Sequence, residues 1–205
     1  MDTAMMGRGR NARARKQAER GFSLLEVLIS MVILTVGLVS LLGVFGLAMA
    51  STQTSQEGMI AKQLANEAYE SIVTARNSSQ LTWDQIQNGG SCTGGVNPSS
   101  GGIFLSGTTP IYKPGADGII GTCDDINAGE QTLEEPGPNG NYGDADDLMV
   151  PLTAYQRTIT ISAVNDASGN PLASIRSVTI TVQYTTPQML QQKTYTLNSY
   201  ISQYQ

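Results

Sequence analysis

Carboxylate side chains recur at matching positions in two glycine-rich segments of the chain. PGADGIIGTCDD (114–125) and PGPNGNYGDADD (136–147) agree at six of their twelve positions. Ca²⁺ takes oxygen ligands from Asp and Asn, and a glycine-rich chain can fold back around an ion. The repeat therefore suggests calcium binding, with these candidate ligands: Asp117, Asp124 and Asp125 in the first segment, and Asn139, Asp146 and Asp147 in the second. The spacing does not match an EF-hand, and the alternative is a pair of solvated turns that need Asp, Asn and Gly for their backbone.

Residues for acid–base or nucleophilic catalysis are sparse. The chain has no histidine, which removes the commonest general base and the commonest metal ligand. Acidic residues are numerous, but no pattern brings two of them to one cleft, and neither cysteine has a histidine partner. We therefore expect a protein that is not an enzyme.

A further candidate carboxylate, Glu26, is the only charged residue between Phe22 and Ala50. An apolar run of this length is long enough for a helix to cross a bilayer. A secretory signal peptide is an alternative, with Ala48-Met49-Ala50 as a weak cleavage signal, although its apolar region would be shorter. A carboxylate inside a membrane helix is costly and tends to have a partner, unless Glu26 merely reaches the headgroup zone at the helix end.

Charge is distributed unevenly along the chain. Six of the 12 Lys and Arg, but only two of the 17 Asp and Glu, fall in the first 20 residues, so the remainder carries 6 − 15 = −9. Basic residues before the apolar run place the N-terminus in the cytoplasm and the body outside the inner membrane, in the periplasm. A body of this charge repels phosphate, and no nucleic-acid partner is expected.

The start of the apolar run carries a family resemblance. Gly21-Phe22-Ser23-Leu24-Leu25-Glu26-Val27, after a short basic leader, resembles the processing site of type IV prepilins and type II secretion pseudopilins. The resemblance implies that prepilin peptidase cuts between Gly21 and Phe22, that the new Phe22 amine is methylated, and that Glu26 takes part in assembly with other pilin subunits. In low dielectric the free amine would attract the Glu26 carboxylate of a neighbouring subunit.

The resemblance also narrows the expected role. The motif and its continuation LTVGLVSLLG (34–43) are similar to PilV-type minor pilins, which implies initiation, capping or modification of a pilus, with final placement at the cell surface. Adhesion is expected as one output of the 88–147 segment. Two alternatives remain open: a type II secretion pseudopilin, and a membrane-tethered periplasmic binding module that depends on calcium. Unlike many major pilins, the apolar run has no proline.

The cysteines fit the same topology. Cys92 and Cys123 are the only two, and both fall on the side of the membrane that is oxidising. A disulfide between them is therefore expected, although the sequence alone leaves two free thiols open.

The remaining patterns predict the elements that hold these residues. Between Ile60 and Val73 apolar residues form two rows at helical spacing, which predicts an amphipathic helix. Alternation over 157–164, 177–184 and 193–201 predicts three antiparallel strands, with turns at 166–171 and at Thr186-Pro187. The expected fold is α+β and pilin-like, with a long N-terminal helix packed on a C-terminal antiparallel sheet of three to four strands.

These patterns divide the chain into four parts. The expected boundaries are a basic leader over 1–21, a transmembrane and assembly helix over 22–50, its amphipathic continuation over 51–78, and a globular head over 79–205. Within the head, 88–147 is expected to form loops and 148–205 to form strands.

Overall fold

The computed structural model describes residues 21–89, 92, 94–186 and 191–204, and the predicted leader up to residue 20 lies outside the described residues. The described chain falls into two units that divide between Ala48 and Met49. Helix α1, Leu24–Asn77, contributes residues to both units.

The first unit contains the apolar part of α1. Its large side chains are exposed, as Phe22 illustrates at 81%. Hydroxyl groups inside this helix donate to the carbonyl four residues earlier, for example Ser30 Oγ to the Glu26 carbonyl at 2.7 Å, so the polar side chains are satisfied without leaving the helix. An apolar surface on every side is what a lipid-facing or partner-facing helix requires.

The second unit begins with the amphipathic part of α1. The predicted apolar rows are confirmed, because the buried positions repeat at helical spacing: Ala61, Leu64, Ala65, Ala68, Ile72 and Ala75. Ile60, Tyr69 and Val73 pack at the margin of the same core. Small alanines along this face allow α1 to lie close to the sheet it covers.

The covered sheet has four antiparallel strands, which are the first, fourth, fifth and sixth strands of the described chain and lie side by side in that order. Their bounds are β1 Thr108–Pro110, β4 Tyr155–Asn165, β5 Pro171–Thr185 and β6 Gln192–Ser202. Three of them confirm the predicted strands, each extended by a few residues. Because successive side chains of a strand point to opposite faces, Val178, Ile180 and Val182 of β5 all point into the core, where they have no exposed surface.

The β4–β5 connection is held by one side chain. Asp166 Oδ1 accepts the amides of Ser168 at 2.8 Å and Asn170 at 2.9 Å. Gly169 completes the turn at φ +86°, a conformation that glycine adopts without strain. The predicted turn at 166–171 is thus present, whereas Pro187 of the second predicted turn lies outside the described residues.

Short regular elements lie within and beside the interval 88–147 that was expected to form loops. These are a short 3-10 helix Trp83–Gln85, strand β1, helix α2 Asp125–Ala128, and a second, two-stranded sheet of β2 Thr132–Glu135 and β3 Leu148–Pro151. None exceeds four residues, too short for a periodic pattern to identify it in sequence. The observed class is therefore α+β as predicted, with a four-stranded sheet and an additional two-stranded one.

Candidate functional site

The N-terminal site consists of Gly21, Phe22 and Glu26. Gly21 and Phe22 precede the helix in extended chain, and α1 begins at Leu24 with its first backbone bond running from the Glu26 amide to the Ser23 carbonyl at 2.9 Å. Glu26 therefore lies in the first helical turn, where the N-terminal end of the helix dipole favours a carboxylate.

The surroundings of Glu26 contain no compensating cation among the described residues. Its carboxylate is exposed, and within the described part of the chain no donor side chain reaches it. Exposed apolar side chains surround it, including Phe22, Leu25 and Val27. A carboxylate on a helix of this polarity has a strong electrostatic preference for a cationic partner.

The glycine-rich repeat folds into two loops of matching geometry, loop 1 (114–125) and loop 2 (136–147). In loop 1 the Asp125 carboxylate accepts the amides of Gly115 at 2.7 Å, Gly121 at 2.6 Å and Thr122 at 3.3 Å. The same three bonds recur in loop 2, where Asp147 accepts the amides of the equivalent residues at 3.2, 2.5 and 3.1 Å. The sequence repeat is therefore a structural repeat whose last Asp closes each loop.

The predicted ligands of loop 1 come together. Oxygen atoms of Asp117, Asp124 and Asp125 lie within 4.8 Å of one another. Donors from the chain already reach them, because the Asn97 amide group donates to Asp117 Oδ2 at 2.7 Å and to Asp124 Oδ1 at 3.1 Å, and the Thr122 hydroxyl donates to both residues. Both carboxylate oxygens of Asp125 accept hydrogen bonds from backbone amides, so Asp125 fits a loop-closing role better than a ligand role.

The second predicted set differs by one residue from the group that the structure assembles. Loop 2 brings together Asp144, Asp146 and Asp147. Asn139 Nδ2 donates to Asp144 at 2.7 Å and to Asp146 at 3.0 Å, so the amide nitrogen of Asn139, and not an oxygen ligand, faces the carboxylates. Asp144 aligns with Thr122 in the repeat. The sequence analysis compared only identical positions and therefore missed Asp144. Calcium binding by these loops remains a prediction.

The loop 1 carboxylates differ in proton affinity because their surroundings differ. Burial raises the pKa of Asp125 to about 6 against the opposing effect of the amides from Gly121 and Gly115, and the residue is only 1% exposed. Burial also raises the pKa of Asp117. For Asp124 burial acts in the same direction, but hydrogen bonds from the Thr122 hydroxyl and the Asp117 amide outweigh it and lower the pKa.

A buried arginine connects loop 1, α1 and β4. Arg157 is 3% exposed, and its Nη1 donates to the Leu64 carbonyl of α1 at 3.4 Å. Burial lowers the pKa of Arg157, while the charges of Glu67 and Asp125 oppose that shift. Arg157 lies at an inward-facing position of β4, between Tyr155 and Ile159 in the alternation of buried side chains. The alternation in the sequence indicates this position, but the sequence analysis did not single it out.

The predicted disulfide is present. Cys92 and Cys123 are joined with a Cα–Cα distance of 5.4 Å. The Cys123 amide also donates to Asn97 Oδ1 at 2.8 Å, so the disulfide and the Asn97 side chain both hold loop 1. At the position equivalent to Cys123, loop 2 has Ala145, so loop 2 has no disulfide at this position.

Comparison with known families finds a match over the N-terminal site. Residues 16–42 match the family model described as the prokaryotic N-terminal methylation motif, so the chain carries the type IV prepilin-like signal. α1 is, within the described residues, the helix that is long and apolar enough to cross a membrane. Comparisons with curated proteins and with solved structures gave no match.

Proposed function

We propose that the chain is a minor type IV pilin, which prepilin peptidase cleaves after Gly21 and which then joins a pilus and helps its initiation, assembly or modification. The observation that carries this proposal is the methylation motif over 16–42, with Gly21, Phe22 and Glu26 in register at the start of an exposed apolar helix. The motif implies peptidase processing and a membrane-associated protein of the pilin type.

The physical role of each site residue follows from its position. Cleavage converts the Phe22 nitrogen from an amide to an amine, which methylation leaves positively charged. Glu26 is the one negative charge between residues 22 and 50, so the amine of one subunit and the carboxylate of its neighbour attract each other strongly in an apolar medium. This pairing fixes the register of adjacent helices, because exposed apolar side chains alone specify register weakly.

The proposed placement follows the charge distribution. The chain is anchored by residues 22–50 in the inner membrane, with its head in the periplasm, until it enters the filament at the cell surface. The fully exposed apolar surface of α1 in the first unit supports this use, because lipid or neighbouring helices would cover it. A type II secretion pseudopilin has the same motif and remains the second candidate.

The test compares filament entry for two substitutions on the same helix. Glu26→Gln removes the charge but keeps the size, and Ser30→Ala, one turn later, removes only an intrahelical hydroxyl bond. Both variants are expressed with the pilus assembly system, and the sheared filament fraction is quantified by immunoblot. We expect Glu26→Gln to remain in the membrane and Ser30→Ala to enter filaments as the parent does. Equal entry of the two variants would contradict the assembly role of Glu26, and entry into a secretion pseudopilus instead would favour the second candidate.

A further inference from the structure

The two edges of the four-stranded sheet are unequal. β1 forms one edge with only three residues and ends at Pro110, so it is short and carries a residue without an amide hydrogen. β6 forms the other edge with eleven residues, no proline and Lys193 as its one charged residue. In the part of the chain that the structure describes, β5 is the one strand that pairs with β6. Short length and proline therefore protect the β1 edge, whereas β6 is long and has Lys193 as its one charged side chain.

The register shows which backbone groups point away from the sheet. The Gln203 amide donates to the Ser174 carbonyl at 2.8 Å, and the Thr186 amide donates to the Gln191 carbonyl at 3.4 Å. Both bonds fit the β5–β6 register, in which hydrogen-bonded pairs alternate with pairs that are not bonded. Odd-numbered residues of β6 thus bond to β5, and even-numbered residues direct their amide and carbonyl groups to the open edge: Gln192, Thr194, Thr196, Asn198 and Tyr200.

One end of this edge is already closed by a side chain. The Ser202 carbonyl accepts Arg76 Nη1 at 2.7 Å, which agrees with an even-numbered residue facing away from β5. The five even-numbered residues from Gln192 to Tyr200 direct five amide and five carbonyl groups away from β5, in the alternating order of a strand ladder. All five side chains are exposed and uncharged, so they would not repel an approaching strand.

The helix side of the same edge is incompletely covered. Tyr195 and Leu197 of β6 are only half-buried against the core, and so are Tyr69 and Val73 of α1. One more strand beyond β6 would place its inward side chains over these groups. A strand added here would therefore gain backbone hydrogen bonds and apolar burial together.

We propose that the open edge of β6 binds an extended segment of a different polypeptide by strand addition. Alternating amide and carbonyl groups at a spacing of about 7 Å along the edge match the backbone of an extended peptide, and side chains that alternate between polar and apolar suit its two faces. The proposal does not depend on filament assembly, because it concerns the head alone.

A second copy of this chain is a poorer fit for the edge. Its β1 edge is too short to pair with eleven residues. Antiparallel pairing of two β6 strands would relate the copies by a twofold axis perpendicular to the sheet. That axis makes the Met49–Asn77 parts of α1 run in opposite directions in the two copies, whereas the proposed anchoring in one membrane requires a common direction.

The experiment uses the full chain in detergent micelles and a defined probe strand. The probe is a fluorescein-labelled synthetic peptide, KTVTVTVTVTK, which is not a segment of this chain and has the polar–apolar alternation that suits the two faces of the edge, and its control is the same peptide with proline in place of the central threonine. Thr196→Pro removes an outward amide without touching a bond to β5, and Thr196→Val is the matched control. We expect saturable binding of the probe and not of its control, with affinity at least about tenfold weaker for Thr196→Pro and unchanged for Thr196→Val.

Amide hydrogen exchange provides a readout that does not depend on the folding of a variant. In the parent chain the probe should slow exchange of the amides of Thr194, Thr196 and Asn198, whereas the amides of Tyr195 and Leu197 are protected with or without it. No saturable binding, equal affinity for the two Thr196 variants, or no change at the even-numbered amides would each overturn the proposal. Self-association of the parent that Thr196→Pro abolishes would overturn the choice of partner, because the occupant would then be a second copy.

Discussion

Replacement of Asp125 by alanine should destabilise the head far more than the same change at its repeat equivalent, Asp147. Asp125 accepts three backbone amides, and two of them, from Gly121 and Thr122, are fully enclosed. A buried amide left without an acceptor costs about 1–3 kcal/mol. We therefore expect Asp125→Ala to lower the free energy of unfolding by about 3 kcal/mol.

Asp147 is the internal control for this prediction. It accepts the same three amides in loop 2, but the loop is exposed and water can replace the carboxylate. The expected cost of Asp147→Ala is about 1 kcal/mol or less. The two substitutions thus remove equivalent bonds. Water reaches loop 2 more easily, and its Gly143 amide keeps a second acceptor, Glu134 Oε1 at 3.1 Å.

Urea unfolding of the full chain in detergent, followed by tryptophan fluorescence, measures both costs. Trp83 is the sole tryptophan, its indole donates to the Ala173 carbonyl at 2.7 Å, and Arg176 lies over its ring at 4.5 Å, so its emission reports on the folded head. Equal destabilisation by the two variants would refute the reasoning, because burial would then not decide the cost of an unpaired amide.

Further outcomes follow from the same loops. Between about pH 4 and pH 6 the contribution of Asp125 to the stability of the head should fall as pH rises, because Asp125 has a folded pKa of about 6 against about 4 unfolded. Asp125→Ala should reduce this slope in the pH dependence of the urea midpoint, and Asp117, whose pKa is also raised, should leave a slope of the same sign. Gly121→Ala should cost more than Gly143→Ala in the same assay, since both glycines have positive φ but an added Cβ meets Ile159 Cδ1 at 2.3 Å only in the first. Joint replacement of Cys92 and Cys123 by alanine should cost about 3–4 kcal/mol, and an unchanged midpoint would contradict the entropic account. If the loops bind Ca²⁺, thermal unfolding in CaCl₂ should occur at a higher temperature than in EGTA, and identical curves would favour the solvated turns.

The long elements of this fold were predictable because their side chains repeat with the period of the element. The apolar rows of α1 recur at helical spacing, and β4 to β6 alternate over eight residues or more. The first six residues of β5, beginning at Pro171, were missed because Pro, Ala and Ser do not favour strands, and their place is set by pairing with β4 and β6.

The site was predictable where chemistry follows from the order of residues along the chain, and not where it depends on folding in space. The N-terminal motif is local and needs no fold. The repeat predicts that Asp117 clusters with Asp124 and Asp125. Asn97 reaches Asp117 and Asp124 from a segment distant in sequence, and no sequence pattern predicted this contact. The open edge of β6 needed the order and register of all four strands, which only tertiary structure supplies.

The most direct test of the proposed function is the identity of the N-terminus after expression with an active prepilin peptidase. Intact mass and N-terminal sequencing of the purified full chain measure it in one preparation. The proposal predicts a product that begins with methylated Phe22, and no cleavage when Gly21 is replaced by valine. A product that keeps the residues before Phe22 despite an active peptidase would contradict the pilin assignment and favour a membrane-tethered binding module.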